Sequence, residues 1–169
     1  MTIIIRTVTL DDVEAVSDHH QGIALETDID VPLRPSDMPT DRERLEGYIE
    51  QFIEPDNSTA IVADVDGKIV GWVTARGGKA RVVRHVVDIG IVISRGWRGQ
   101  GIGTNLMLAL IAWARETNIV KRLELDVYTS NDGAIHMYEK LGFITEGCRK
   151  KALMHDDDYV DLFHMALLI

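Results

Sequence analysis

The chain has 169 residues, of which 46% are hydrophobic and 27% charged, and its formal net charge is −9. This length and balance fit one folded domain and exclude a disordered chain or a coiled coil. The negative charge argues against nucleic acid as a partner, because phosphates need a basic surface. The apolar start at Ile3–Ile5 is too short for a signal peptide, and no segment reaches the roughly 18 apolar residues of a membrane span. We therefore expect a soluble, cytoplasmic protein with no membrane partner.

The first part of the chain predicts a strand followed by two helices. Ile3–Val8 is typical of a strand, and Thr9–Asp12 resembles a capping box at the start of a helix. Glu26–Pro39 holds three of the four prolines and is interpreted as a long loop. The second helix has apolar residues spaced i, i+3, i+4, i+7 and i+8 from Leu45, and Pro55 ends it.

From Thr59 the pattern changes to that of strands. Ile61–Val73 predicts a β-hairpin around Asp66-Gly67, and a second turn at Gly77-Gly78 leads into a long strand over about Val82–Ile93. The later elements are a helix Thr104–Glu116, a strand Arg122–Tyr128, a helix Asn131–Leu141, a strand Phe143–Arg149, a turn at 156–158 and a strand Tyr159–Leu168. Antiparallel strands followed by alternating strands and helices predict an α/β (α+β) fold. We expect a mixed, largely antiparallel sheet with helices on both faces, in a single domain over residues 1–169.

Cysteine and histidine usage predicts no metal site. Cys148 has no partner for a disulfide or a zinc site and is interpreted as a small packed residue on a strand. His19 and His20 are adjacent on a helix and cannot share one face, which argues against a joint metal site. Three further histidines are interpreted as surface or hairpin residues: His136, His155 and His164.

The segment Arg98–Thr104, with the sequence RGQGIGT, joins the end of the long strand to the start of a helix. Its three glycines allow a tight turn that brings backbone N–H groups close to a ligand, at a helix N-terminus that favours anions. Such a turn is typical of phosphate binding. It lacks the Gly-Lys-Ser/Thr end of a P-loop and the G-x-G-x-x-G spacing of dinucleotide folds. The alternative is a glycine-rich connector without a ligand.

Two motifs resemble the GNAT superfamily of N-acetyltransferases. The run from Ile91 to Gly103 is similar to that family's coenzyme A signature, Arg/Gln-x-x-Gly-x-Gly/Ala. Asn131–Phe143, with the sequence NDGAIHMYEKLGF, is similar to the family's N-x-x-A-x-x-x-Y-x-x-x-G-F segment. The motifs occur in the expected order. The resemblance implies a GNAT-like sheet with splayed central strands and an enzyme that transfers an acetyl group from acetyl-CoA to an amine.

The resemblance also implies which residues bind the cofactor. In this family the pantetheine arm lies in the gap beside the strand that precedes the glycine turn. Backbone groups of Ile91 and Ile93 would hold this arm, and an amide near Val92 would face the thioester carbonyl, where it could stabilise an oxyanion. The residues of the turn implied to bind the cofactor phosphates are Arg98, Gly99, Gln100, Gly101, Ile102, Gly103 and Thr104.

Asn131 and Tyr138 are seven residues apart and therefore share one face of a helix, about two turns from each other. The resemblance implies that Asn131 hydrogen-bonds the cofactor arm and that Tyr138 reaches the thioester sulfur. A phenol, with a reference pKa of about 10, can protonate the departing thiolate. The alternative for Tyr138 is packing within the core.

An acceptor amine is mostly protonated at neutral pH, so a base or a water chain is needed. Asp88 is the first candidate, on the same strand face as Val86 and Gly90. Family members often carry a glutamate in this region, so the shorter aspartate would need a bridging water, and a structural aspartate is the alternative. His85 is the second candidate, with a reference pKa near neutrality but on the other face.

The acceptor is expected to be an amino acid or a similar small amine. The alternatives are a peptide or protein N-terminus or lysine, and a coenzyme A-binding module without turnover. Similar proteins are often dimers, so a homodimer is one alternative for the assembly. Four acidic residues in the loop before the second helix, Glu26, Asp28, Asp30 and Asp37, are expected to concentrate cationic amines, unless the loop is only solvated.

Overall fold

The computed structural model describes residues 2–26, 42–155 and 158–169. Its strands are β1 Ile4–Thr7, β2 Thr59–Val65, β3 Lys68–Gly77, β4 Val86–Ile93, β5 Arg122–Tyr128, β6 Ile144–His155 and β7 Asp158–Leu168. Its helices are α1 Val13–Ala24, α2 Arg42–Ile53, α3 Ile102–Glu116 and α4 Asp132–Lys140. None of these helices, which cover only the described residues, is long and apolar enough to cross a membrane.

The strands form one seven-stranded sheet in the order β1-β2-β3-β4-β5-β7-β6. Its neighbouring strands are antiparallel except for the pair β4 and β5 at its centre. The predicted mixed, largely antiparallel sheet is therefore confirmed.

Local sequence signals explain most of the elements. Asp66 and Gly67, with φ of 51° and 85°, form the tight turn between β2 and β3. At the entry to α1, the carboxylate of Asp12 accepts hydrogen bonds from the Thr9 backbone N–H and hydroxyl, which completes the capping box. Helix α2 buries the predicted apolar stripe, with Leu45, Ile49 and Phe52 in the core.

The helices pack on both faces of the sheet, as predicted. On one face, α3 buries Leu106, Met107 and Leu110 against strand residues that include Val73 and Val87. On the other face, α1 and α2 pack on a smaller core that includes Ile49, Phe52 and Trp72. Because side chains alternate along a strand, Val87 and Ile89 point toward α3, whereas Asp88 and Val92 point toward α1 and α2.

The predicted strand over Val82–Ile93 begins too early. Residues Arg81–Val83 form a 3-10 turn, Val82 is 80% exposed, and β4 starts only at Val86. The side-chain amide of Asn57 donates hydrogen bonds to the carbonyls of Gly78 and Arg84, at 3.1 and 3.0 Å. This contact from a distant part of the chain holds residues 78–84 as a turn.

The prediction of a packed Cys148 is also wrong. Cys148 lies on β6, but β6 is the edge of the sheet, and every residue from Ile144 to Lys150 is exposed. The strand is also longer than expected, because it continues to His155.

The central parallel pair opens along its length. β4 pairs with β5 only from Val86 to Asp88 and continues to Ile93 without a partner on that side among the described strands. Gly78 N–H donates to the Val86 carbonyl, and Ser94 N–H donates to the Val70 carbonyl. Because backbone groups alternate in direction along an antiparallel pair, the even-numbered residues of β4 hydrogen-bond to β3. The N–H and C=O groups of Ile91 and Ile93 therefore point away from β3 and into the opening.

Candidate active site

A cleft of about 910 Å³ begins where β4 and β5 part. The segment after β4 and helix α4 line one side of it, and α1 and α2 line the other. The residues predicted as site residues that line this cleft are Asp88, Ile91, Val92, Ile93, Arg98, Gly99, Gly101, Ile102, Gly103, Thr104, Asn131 and Tyr138. The structure thus brings together residues from three separate segments of the sequence.

The turn before α3 is built for an anion. Gly99 and Gly101 have φ of 72° and 80°, in the left-handed region that side chains other than glycine rarely adopt. Gly101 is the N-cap of α3 and has no side chain, so no side chain caps the first amides of this described helix. At Gly103 a Cβ would lie 3.3 Å from the Met137 sulfur, so glycine lets α3 approach α4.

Two turn residues make contacts that the sequence did not predict. Gln100 does not line the cleft, because its side-chain amide donates to the Gly96 carbonyl at 3.0 Å. Arg98 donates from Nε to the Ile93 carbonyl at 2.9 Å, and its Nη2 forms an ion pair with Glu26.

The exposed edge of β4 offers backbone groups to the cleft. The carbonyl of Ile93 accepts a hydrogen bond from Arg98. The N–H of Ile93 and both the N–H and the C=O of Ile91 point into the opening. The Val92 N–H points toward Trp72 on β3. The register between β3 and β4 has no shift, so no bulge directs this N–H into the cleft instead. The amides that face the cleft are therefore those on either side of Val92.

The cleft fits a cofactor with phosphates and an extended amide-bearing arm. The uncapped N-terminus of α3 supplies N–H donors and a partial positive charge to phosphate oxygens. The open edge of β4 can pair with the arm in the way that another strand would. Coenzyme A has both parts.

Tyr138 lies in the wall of the cleft and is 5% exposed. Its ring contacts Phe143, with the ring centroids 5.8 Å apart. Burial raises the pKa of Tyr138 above its ordinary value, so the hydroxyl keeps its proton at neutral pH. The phenol thus lines the cleft with its proton in place and can donate it to a strongly basic group such as a thiolate, although the raised pKa makes it a weaker acid than a free tyrosine.

Asn131 lines the cleft but also holds α4 in place. Its side-chain oxygen accepts a hydrogen bond from the Ala134 N–H at 3.1 Å and caps the helix. The side-chain NH₂ group of Asn131 can still donate to a ligand.

Asp88 lies on the floor of the cleft, among other charged groups. It is opposite Arg76 in the register of β3 and opposite Glu124 in that of β5. Asp126 also lines the cleft and is hydrogen-bonded to His164, with 2.8 Å between Oδ1 and Nδ1. Asp88 has an exposed surface, but the walls of the cleft surround it and partly remove its hydration. This desolvation, together with the negative charges of Asp126 and Glu124, raises the pKa of Asp88. A carboxyl with a raised pKa is a better proton acceptor near neutral pH.

His85 does not reach the cleft. It is exposed in the turn before β4, at the opposite end of the strand from the glycine turn. The backbone carbonyl of His85 accepts hydrogen bonds from the N–H groups of Lys121 and Arg122.

An aromatic group that sequence reasoning missed lines the side of the cleft formed by α1 and α2. His20, Tyr48 and Trp72 all line it, and the ring of His20 lies 5.4 Å from that of Trp72 and 6.1 Å from that of Tyr48. His20 is 3% exposed, and its buried Nδ1 has no hydrogen-bond partner among the described residues. Burial, with a smaller contribution from His19, lowers the pKa of His20 to about 3, so the ring is neutral.

The sequence did carry a signal for the burial of His20, though not for its place in the cleft. Val13, Val16, His20 and Ile23 are spaced three or four residues apart and form one stripe on α1. All four are buried.

Residues 24–143 match the model of the Acetyltransferase (GNAT) family. The chain belongs to this family. It is 36% identical over 106 residues to the L-amino acid N-acetyltransferase AaaT of Escherichia coli, across 63% of this chain and 65% of that protein. It is 30% identical over 106 residues to the N-alpha-acetyltransferase of Sulfurisphaera tokodaii, across 57% of this chain and 62% of that one. The chain thus spans just under two thirds of the length of these relatives.

The fold of a solved structure matches the fold of this protein over almost the whole chain. The crystal structure of an acetyltransferase of the GNAT family from Streptococcus pneumoniae superposes with a TM-score of 0.93 at 30% identity, covering 99% of this chain and 100% of that one. The resemblance drawn from the two motifs and the GNAT fold are confirmed.

The predicted acidic stretch of this GNAT chain is only partly described. Asp28, Asp30 and Asp37 lie outside the described residues. Glu26 is described, and it pairs with Arg98 at the glycine turn. Among the described residues, no three His, Cys, Asp or Glu side chains lie together as a metal site.

Proposed function

We propose that this chain is an acetyl-CoA-dependent N-acetyltransferase that acts on the primary amine of a small molecule such as an amino acid. The observation that carries the proposal is the cleft itself, where the uncapped N-terminus of α3 and the open edge of β4 meet Tyr138 and Asp88. The similarity to an L-amino acid N-acetyltransferase supports the choice of acceptor.

The donor half of the cleft binds and orients acetyl-CoA. The amides at the start of α3 and the guanidinium of Arg98 hold the phosphates. The backbone of Ile91 and the N–H of Ile93 hold the pantetheine arm along β4. Bound acetyl-CoA supplies an activated acetyl group, whose carbonyl carbon forms a bond to the amine nitrogen as its bond to sulfur breaks.

Two side chains move the protons. Asp88, directly or through a water, takes a proton from the acceptor ammonium, and its raised pKa suits this role. Tyr138 gives its proton to the departing sulfur and regains one from the solvent that reaches the cleft. The ammonium loses one proton to Asp88 before the attack, and the nitrogen loses a second proton to solvent once the C–N bond has formed. Because solvent also restores the proton of Tyr138, the net result is one proton on the thiol and one released to solvent.

The acceptor half is bounded by α1 and α2. The neutral ring of His20, with Tyr48 and Trp72, gives this wall an aromatic surface, whereas Asp88 and Asp126 give the floor negative charge. This combination suits a small amine with an apolar part, because the ammonium and the apolar group meet different surfaces.

Acetylation of a peptide N-terminus is the second candidate. The similarity to an N-alpha-acetyltransferase favours it, although the sequence identity to that protein is lower than to the amino acid enzyme. A coenzyme A-binding module without turnover is the alternative outside catalysis.

The test combines binding with turnover. Coenzyme A binding is measured by calorimetry, and thiol release from acetyl-CoA is followed with single amino acids, polyamines, aminoglycosides and short peptides. We expect binding and thiol release with one or more amino acids. Release with peptides alone would favour the second candidate, and binding without release for any acceptor would favour the module. Absence of coenzyme A binding would contradict the proposal.

A further inference from the structure

The end of α1 is attached to the segment that leads from β4 into the glycine turn. Glu26, which follows α1, accepts a hydrogen bond from the Arg95 N–H through Oε1, at 2.9 Å, and pairs with Arg98 through Oε2. Further back on α1, His19 Nδ1 lies 3.0 Å from the Ser94 hydroxyl oxygen. One contact from α1 and two from Glu26, just after it, thus join this part of the chain to residues 94–98.

These contacts hold the guanidinium of Arg98 at two points. Its Nε donates to the Ile93 carbonyl at the end of β4, and its Nη2 pairs with Glu26. A guanidinium has further N–H donors. In the part of the chain that the structure describes, those of Arg98 have no other partner and can donate to a phosphate. The side chains of Glu26 and Arg98 are 14% and 35% exposed, so the carboxylate is shielded while the cation keeps an open side.

A carboxylate beside a phosphate site needs a reason, because like charges repel. An arginine side chain has many rotamers, and ordering it when the ligand binds costs free energy. A buried counter-ion that orders the arginine beforehand reduces this cost. The carboxylate of Glu26 is fixed by the Arg95 N–H, so it can impose one orientation on Arg98.

We propose that Glu26 is a positioning residue, which holds Arg98 in the orientation that binds the phosphates of coenzyme A and fastens α1 to the donor half of the cleft. This inference rests on the proposed function. It departs from the sequence-based expectation that Glu26 attracts the acceptor, since its charge is directed at the donor site.

The decisive variant is Glu26→Gln. A glutamine keeps the length of the side chain and an oxygen that accepts from the Arg95 N–H, but it removes the charge that pairs with Arg98. Glu116→Gln is the matched control, because Glu116 is exposed at the other end of α3, about 20 Å along the helix from the turn. Coenzyme A affinity is measured by calorimetry for both variants, for Arg98→Met, and for the double variant of Glu26 and Arg98.

We expect Glu26→Gln to weaken coenzyme A binding about five- to twenty-fold, with little change for Glu116→Gln. Arg98→Met should weaken binding at least as much, and adding Glu26→Gln to it should have no further effect, because the two residues act as one unit. In turnover, Glu26→Gln should raise KM for acetyl-CoA and leave kcat and KM for the acceptor nearly unchanged.

Unchanged coenzyme A affinity in Glu26→Gln would overturn the inference. It would also be overturned if the fold-losses of affinity in Glu26→Gln and Arg98→Met multiplied in the double variant, because the two residues would then act independently. If Glu26→Gln lowers the thermal midpoint of unfolding, Arg98→Lys tests the pair from the other side. A lysine lacks the fork that reaches both Glu26 and the Ile93 carbonyl, so we expect a similar loss of affinity, and retained affinity would contradict the inference. Wild-type protein that does not bind coenzyme A would instead contradict the proposed function itself.

Discussion

Substituting Gly101 separates the shape of the glycine turn from its charge. Gly101 has a φ of 80° and caps α3, and a Cβ built on it would meet no atom within 4 Å. Aspartate and asparagine have nearly the same size, and both tolerate the left-handed region better than other side chains do. Both also cap helices well. Gly101→Asp and Gly101→Asn should therefore fold alike and differ only in charge.

The charge decides the expected difference in binding. A carboxylate at this N-cap would lie within about 5 Å of a phosphate bound at the start of α3, and at an effective dielectric constant of about 20 each pair of unit charges would repel by about 3 kcal/mol. This corresponds to about a hundred-fold loss of coenzyme A affinity in Gly101→Asp. In Gly101→Asn the loss of affinity should be much smaller. It comes only from the bulk of the added side chain and from the backbone N–H of α3 that the asparagine oxygen would cap, which would no longer be available to the phosphate.

The assay is calorimetry with coenzyme A, repeated at low and high salt, with thermal unfolding as the control for folding. Added salt should narrow the gap between the two variants, since ions screen the repulsion between partly exposed charges. Equal affinities for the Asp and Asn variants in folded protein would refute the assignment of this turn to phosphate binding.

Three further predictions concern side chains of the cleft. Tyr138→Phe should lower kcat about a hundred-fold without changing coenzyme A affinity, because it removes a proton donor and keeps the ring; an unchanged kcat would leave Tyr138 a packing residue. Asp126→Asn should move the acidic limb of the profile of kcat/KM against pH to lower pH, since Asp126 is one of the charges that raise the pKa of Asp88, and an unmoved limb would argue against Asp88 as the base. His20 has a pKa lowered from 6.5 to about 3 in the folded protein, so the unfolded chain binds more protons and stability falls as the pH drops below 6.5. His20→Phe should therefore reduce the slope of the unfolding free energy in this window by up to about 1.4 kcal/mol per pH unit, as measured by urea unfolding at several pH values.

The fold was predictable where local signals were sufficient. Asp66-Gly67 specifies its turn through backbone conformation alone, and the stripe that begins at Leu45 specifies a helix with one buried face. The start of β4 was not predictable, because β-branched residues at 82 and 83 favour a strand whereas Asn57, more than twenty residues away in sequence, holds the turn. The exposure of Cys148 likewise depends on β6 being the edge of the sheet, which strand order decides.

The donor half of the cleft was predictable for the same reason. The groups proposed to bind the donor there are mainly backbone amides, and Gly99 and Gly101 mark the conformation that presents them, so a short motif carries the information. The acceptor half uses side chains from three elements that only the tertiary structure brings together: His20 from α1, Tyr48 from α2 and Trp72 from β3.

His20 illustrates why the acceptor wall could not be recognised in advance. Its position in the buried stripe of α1 is what a core residue would have, and most of that stripe is indeed core. The later part of α1 packs over the β3–β4 pair near Trp72 and Val92, at a level where β4 has already parted from β5, so His20 lies beside the opening. A histidine at that point is buried by Tyr48 and Trp72 and still borders the cleft. The gap proposed for the donor therefore also turns part of the α1 core into a wall of the proposed acceptor site. His20 on α1 lines the cleft, and Glu26, just after α1, reaches Arg98 at the proposed donor site.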